Sequence, residues 1–172
     1  MSPSAAPLVV LDTNVILDLF FFQDAGCARL LEAISADRCR WIASQAMRAE
    51  VDHVLQRGLQ GAWPGDADTV GAAWARWATE IEPDGRPPRA GMRCTDADDQ
   101  KFIDLALQIG ARSLLSADRA VLRLARRGRD HGLDILTVKQ WTARMRRPEP
   151  CAAQKKGGPK AARFAEAEPL FG

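Results

Sequence analysis

Four acidic residues in this 172-residue chain could together make an oxygen-lined site: Asp12 in VVLDTN, Glu50 in MRAEVDHVL, Asp99 in DADDQKFIDLA and Asp118 in LLSADRAVL. Each stands where an apolar strand ends or near the start of a helix. Carboxylates brought together repel one another unless a cation joins them, and hard divalent ions such as Mg²⁺ take all-oxygen surroundings. The chemistry open to such a set is metal-assisted hydrolysis of a phosphodiester. With two histidines and no tyrosine, the chain has little material for a Ser/His/Asp or Cys/His nucleophile.

Each acid also has a plainer reading. Asp12 directly follows an apolar run and could begin a turn or cap the next helix. Asn14 could orient Asp12 or hold a metal-bound water through its amide. At about 100° per residue, Glu50 falls at the edge of the stripe made by Met47, Val51 and Val54, whereas Asp52 faces the other way. A part-buried carboxylate needs a partner, either a metal or an arginine. Asp96, Asp98, Asp99 and Asp104 crowd the start of one helix, where the dipole favours acids. Asp99 lies within the stripe of Phe102, Ile103, Ala106 and Ile109, Asp104 faces away, and Asp96 or Asp98 reads as the cap. Asp118 could cap the helix after it.

The elements that must position these acids alternate. LVVLD at 8–12 reads as a buried strand, followed by a helix at 24–36 and a strand at 40–43. Ser44 stands where an N-cap belongs, before a helix to about residue 57. A Gly/Pro-punctuated loop at 58–67 precedes a helix at 68–81. Its Val70, Trp74, Trp77 and Ile81 form an apolar stripe, either core or a surface for a homodimer or protein partner. After a loop at 82–93 come a helix at 98–109, a strand at 113–115, a helix at 118–127, a strand at 134–138 and a helix at 139–146. The predicted class is α/β, a three-layer α/β/α sandwich with a central, mainly parallel sheet. Such sheets bind ligands at the carboxyl ends of their strands, where Asp12 and Asp118 fall.

Length and composition fit one domain at 1–146 with a sizeable core; residues 147–172, rich in Pro, Gly, Lys and Arg, read as a flexible basic tail. No apolar run approaches the roughly 18 residues that span a membrane, and no signal peptide is apparent, so a cytoplasmic location is expected. Cys27, Cys39, Cys94 and Cys151 are far apart and form no CxxC, which argues for reduced thiols and against zinc. Residues 1–118 hold 11 Lys and Arg against 17 Asp and Glu, while residues 119–172 hold 13 against 5. That division suits cations held in one place and phosphates in another. Arg119, Arg123, Arg126 and Arg127 would form a basic stripe on one helix, beginning beside Asp118. It is either an RNA-holding face or simply a solvated one.

Taken in order, VVLDTN, the Glu50 helix, DADDQKFIDLALQIGA and SLLSADRAVL resemble a PIN domain over roughly residues 8–141. They are most similar to the VapC-like toxin components of bacterial toxin–antitoxin pairs. The resemblance implies an endoribonuclease dependent on Mg²⁺ or Mn²⁺, in which a metal-activated water attacks phosphorus. It assigns Asp12, Glu50, Asp99 and Asp118 as metal ligands and catalytic acids, with Thr13, Asn14 and Ser116 as supporting polar groups. An RNA substrate and an antitoxin protein are the implied partners. The double aspartate at 98–99 leaves the third ligand open between neighbours, and the segment 58–93 lies outside the motif set.

Three other readings compete. A haloacid-dehalogenase-like phosphatase needs a second aspartate two residues after the first, where this chain has Asn14. A receiver-type signalling domain needs an acidic pair after the first strand and a lysine after a late one; Asp12 stands alone, although Lys139 follows the last strand. A PIN-like module that binds RNA or a partner without cutting would not need the full acidic set.

Overall fold

The computed structural model describes residues 6–59, 61–85 and 92–145. Five short strands form one sheet: β1 (Leu8–Leu11), β2 (Arg40–Ala43), β3 (Ala78–Glu80), β4 (Ser113–Leu115) and β5 (Asp134–Leu136). Their order is β3-β2-β1-β4-β5, and every pairing is parallel. β1 is central, so the chain first builds outward on one side and then crosses to the other. Val9, Val10, Leu11 and all of β4 are buried, as inner strands covered on both faces require.

The helices are α1 (Thr13–Ile16), α2 (Ala28–Ser35), α3 (Gln45–Gln56), α4 (Ala67–Trp77), α5 (Gln100–Gln108), α6 (Arg119–Leu122), α7 (Ala125–Asp130) and α8 (Val138–Met145). α5 packs on β1 and β4 and meets α3, which meets α1. α2 and α8 pack together, and both α7 and α8 reach β5. This is the expected α/β/α architecture. Among the described residues no helix is long and apolar enough to cross a membrane. The tail at 147–172, including Cys151, lies outside the described residues.

Three elements differ from expectation. First, the helix expected at 68–81 stops at Trp77, where Ala78 turns extended (φ −78°, ψ 135°), and the next residues pair with β2 as an edge strand. The Trp74 indole donates to Glu80 Oε1 at 2.6 Å, and Ile81 N donates to Ala43 O at 2.8 Å. A three-residue exposed edge has no periodicity to read. Second, Thr13–Ile16 is helical and continues through a π-helical turn at Leu17–Phe21. TNVILDLFFF is apolar almost all round, so it carries no amphipathic signal; Val15, Ile16, Leu17, Leu19 and Phe20 are all buried.

Third, the helix expected at 118–127 breaks into α6 and α7. Leu124 N bonds back to Val121 O at 3.0 Å, a tighter turn than an α-helix makes. α7 then lies close on the chain entering β5: a Cβ on Gly128 would come within 2.7 Å of Leu133 O. The four arginines are therefore exposed but do not share one regular helix face.

The expected Trp-bearing stripe divides. Val70 and Trp74 enter the core, where Trp41 meets Trp74 edge-on at 4.9 Å and stacks on Phe20 at 5.6 Å. Trp77 stacks on the other side of Phe20 at 5.7 Å but is only half-buried. It borders an apolar cleft of about 460 Å³ between α2, α4 and the π-helical turn.

Candidate functional site

Asp12 leaves the carboxyl end of β1 and Ser116 leaves that of β4. The ladder continues one step past each strand, with Asp12 N donating to Leu115 O at 2.9 Å and Ser116 N to Leu136 O at 3.0 Å. The two side chains are thereby neighbours despite more than a hundred residues of separation. Asp12 is 2% exposed and Ser116 fully buried, and Ser116 Oγ donates to Asp12 Oδ2 at 2.6 Å. Asp12 occupies the N-cap position of α1, yet its side chain makes no capping hydrogen bond. It points to the neighbouring strand's end instead. Burial pushes its carboxyl pKa up; the Ser116 hydroxyl opposes the rise, and the charge of Glu50 adds to it.

Ser116 also serves Asp118. Its Oγ accepts from Asp118 N at 2.9 Å, and Asp118 Oδ1 accepts from Ala120 N at 2.5 Å. Asp118 thus caps α6, as the plainer sequence reading allows, while its charge still reaches Asp99. Asp99 stands at the N-cap position of α5 without making a capping bond. Asp96 makes the local turn instead, accepting from Asp98 N at 2.9 Å.

The Asp99 carboxyl is pushed up to about 6, first by burial and then by the charges of Asp12, Asp118, Asp96 and Glu50. Burial disfavours the charged form, and the nearby like charges add to that effect at Asp99. Asp104, expected to face away, is half-buried and accepts from Gln100 Nε2 at 2.8 Å. Asn14 is exposed, and what it brings near Asp12 is its backbone N–H.

Glu50 reaches the site from α3, which opens where Ser44 Oγ accepts from Met47 N at 3.4 Å. Met47 and Val51 hold the helix to the core. Thr13, on the turn after Asp12, donates its hydroxyl to Glu50 Oε1 at 2.6 Å. The other oxygen, Oε2, is ion-paired with Lys101 of α5. Glu50 therefore has a basic partner, as its plainer reading required, but a lysine rather than an arginine. Sequence reasoning passed over Lys101. The available signal was that it is the lone basic residue between Arg93 and Arg112, in a run that holds four aspartates.

Among the described residues, no three acidic, His or Cys side chains are drawn into a ready-made metal cage. The reason is visible in the contacts. Asp12 is held by Ser116, Asp118 by the start of α6, and Glu50 by Thr13 and Lys101. Like charges are kept apart, each on its own donor, around an Asp99 that makes no capping bond.

A sequence profile described as "PIN domain" matches residues 8–120. The chain belongs to the PIN-domain family. Comparison with curated proteins finds no match. PIN domains are generally metal-dependent nucleases. The match spans all four acids, together with Thr13, Asn14 and Ser116, and stops just after Asp118. The residues of this PIN domain suit a divalent cation in kind. All four side chains offer hard oxygen, and Asp99 is the carboxyl that a nearby cation would relieve most.

Proposed function

We propose that this PIN domain is an endoribonuclease dependent on Mg²⁺ or Mn²⁺, acting in the cytoplasm as the toxin of a type II toxin–antitoxin pair. The observation that carries the nuclease part is Asp99, at the carboxyl end of a parallel sheet, raised to about 6 first by burial and then by the charges of Asp12, Asp118, Asp96 and Glu50. Asp12, Glu50, Asp99 and Asp118 would hold the cation. When bound, the cation supplies the positive charge that activates water and steadies the oxygen leaving phosphorus. The chain's own groups do the positioning. Ser116 aims Asp12, Thr13 aims Glu50, and the hydrogen bonds at the start of α6 fix Asp118.

Arg119, Arg123, Arg126 and Arg127 are exposed on α6, α7 and the turn between them, Arg119 directly following Asp118, and they would supply phosphate contacts for RNA. The toxin assignment rests on the resemblance of the motif set. The partner reading, for an antitoxin or a second copy, rests on the half-buried Trp77 and Ile81. Purified protein should cut RNA with Mg²⁺ or Mn²⁺ and stop in EDTA. RNA cleavage unaffected by EDTA would refute the mechanism. RNA binding without cleavage under any divalent ion would favour the non-cutting module, to which the Lys101–Glu50 pair lends some support.

A further inference from the structure

We propose that Lys101 is a built-in counter-cation of the acid site, which a divalent ion must displace from Glu50, so that this lysine sets the ion affinity. The proposal rests on the metal-site reading above. Its basis is the way Lys101 is held. The ammonium pairs with Glu50 Oε2 and also donates to the Asp98 carbonyl. It lies 4.9 Å from the centre of the Phe102 ring, and Phe102 is fully buried.

The side chains of Lys101 and Glu50 are only 24% and 29% exposed. The Arg38–Glu32 pair, by contrast, is 49% and 60% exposed and well screened. A pair with less solvent around it keeps more of its Coulomb energy. Both Glu50 oxygens are engaged, Oε1 by the Thr13 hydroxyl and Oε2 by Lys101. A dication that takes Glu50 as a ligand must share that carboxylate with a positive charge or push it aside.

Lys101 thus has two opposite effects. It relieves the mutual repulsion of the acids, which stabilises the ion-free protein. It also opposes any cation that would do the same. An ordinary surface salt bridge would show only the first effect.

The test uses the full chain as wild type, Lys101→Met, Lys101→Gln and Lys101→Arg. Mn²⁺ binding is followed by calorimetry, and melting temperature is measured in EDTA and in saturating Mn²⁺. Removing the charge should tighten Mn²⁺ binding about five- to tenfold while lowering the melting temperature in EDTA. Lys101→Arg should restore both values toward wild type, and Lys101→Gln provides the reading should the Met variant fold poorly. Unchanged or weaker Mn²⁺ affinity in the neutral variants, with equal melting losses in EDTA and Mn²⁺, would overturn the proposal and leave the metal site standing. If the wild type shows no saturable Mn²⁺ binding, the metal-site reading falls, and this one with it.

Discussion

Two clusters flank the same small sheet and obey opposite rules. Around Trp41 of β2, the rings of Phe20, Trp74 and Trp77 meet at 4.9–5.7 Å, and the Trp74 indole N–H has its acceptor in Glu80. At the carboxyl ends of β1 and β4, burial and the charges of Asp12, Asp118, Asp96 and Glu50 drive Asp99 up to about 6. The first cluster lowers the free energy of the fold by removing apolar surface from water. The second raises it through desolvation and repulsion. Under the proposed function the acidic cluster would be kept for binding, with the aromatic cluster supplying the stability that allows it.

Truncating the aromatic side should have the largest effect. Phe20→Ala removes the ring stacked on both Trp41 and Trp77 and should destabilise by about 3–5 kcal/mol in chemical denaturation. A loss under about 1 kcal/mol would mean that these stacks contribute little. On the acidic side, Asp12→Asn or Asp99→Asn should cut RNA cleavage at least about a hundredfold. Either change should leave the ion-free melting temperature equal to or above that of wild type, because one repelling charge is gone and the volume is kept. If either variant melts well below wild type, its carboxylate supports the fold and the contrast between the two clusters is lost.

Metal should act on one side only. Mn²⁺ at a hundredfold excess over its dissociation constant should stabilise wild type by about 2.7 kcal/mol, beyond matched NaCl, and Asp12→Asn should reduce that gain. Acidity sharpens the same point. Asp99 has a folded pKa of about 6 against an ordinary 3.8, so the folded protein binds the proton more tightly. The stability this lends is present at low pH and is lost as pH rises through about 6 in EDTA. Mn²⁺ affinity should run the other way, improving over that range as the competing proton leaves. A melting temperature in EDTA that rises steadily from pH 4 to 7 would contradict the crowding of Asp99.

The smallest effect expected is at the arginines. Each of Arg119, Arg123, Arg126 and Arg127 changed to Ala should weaken RNA binding for all sequences alike and lower its salt slope by about 1. An unchanged slope for the quadruple variant would return them to a solvated surface.

The sequence by itself determined the sheet's interior and the acids' places along the chain. LVVL, RWIA and SLL are short, apolar and β-rich, and burial on both faces leaves such strands little choice. Asp12 and Asp118 had to fall at the carboxyl edge once the strands were parallel. Ser44 declared the start of α3, because its oxygen is what the first turn lacks. β3 was not legible, since its pairing energy comes from β2 rather than from anything in ATE. Nor was the break between α6 and α7, which follows from how closely Gly128 lies on Leu133.

Tertiary structure alone decided what each carboxylate touches. Asp12 and Ser116 are distant in sequence and meet only because β1 and β4 are neighbours. Glu50 and Lys101 meet only because α3 and α5 pack together on one face. Local patterning reports which side of an element faces the core, but charges act through space, and whether an acid has a cation, a hydroxyl or another acid beside it is set when the layers close.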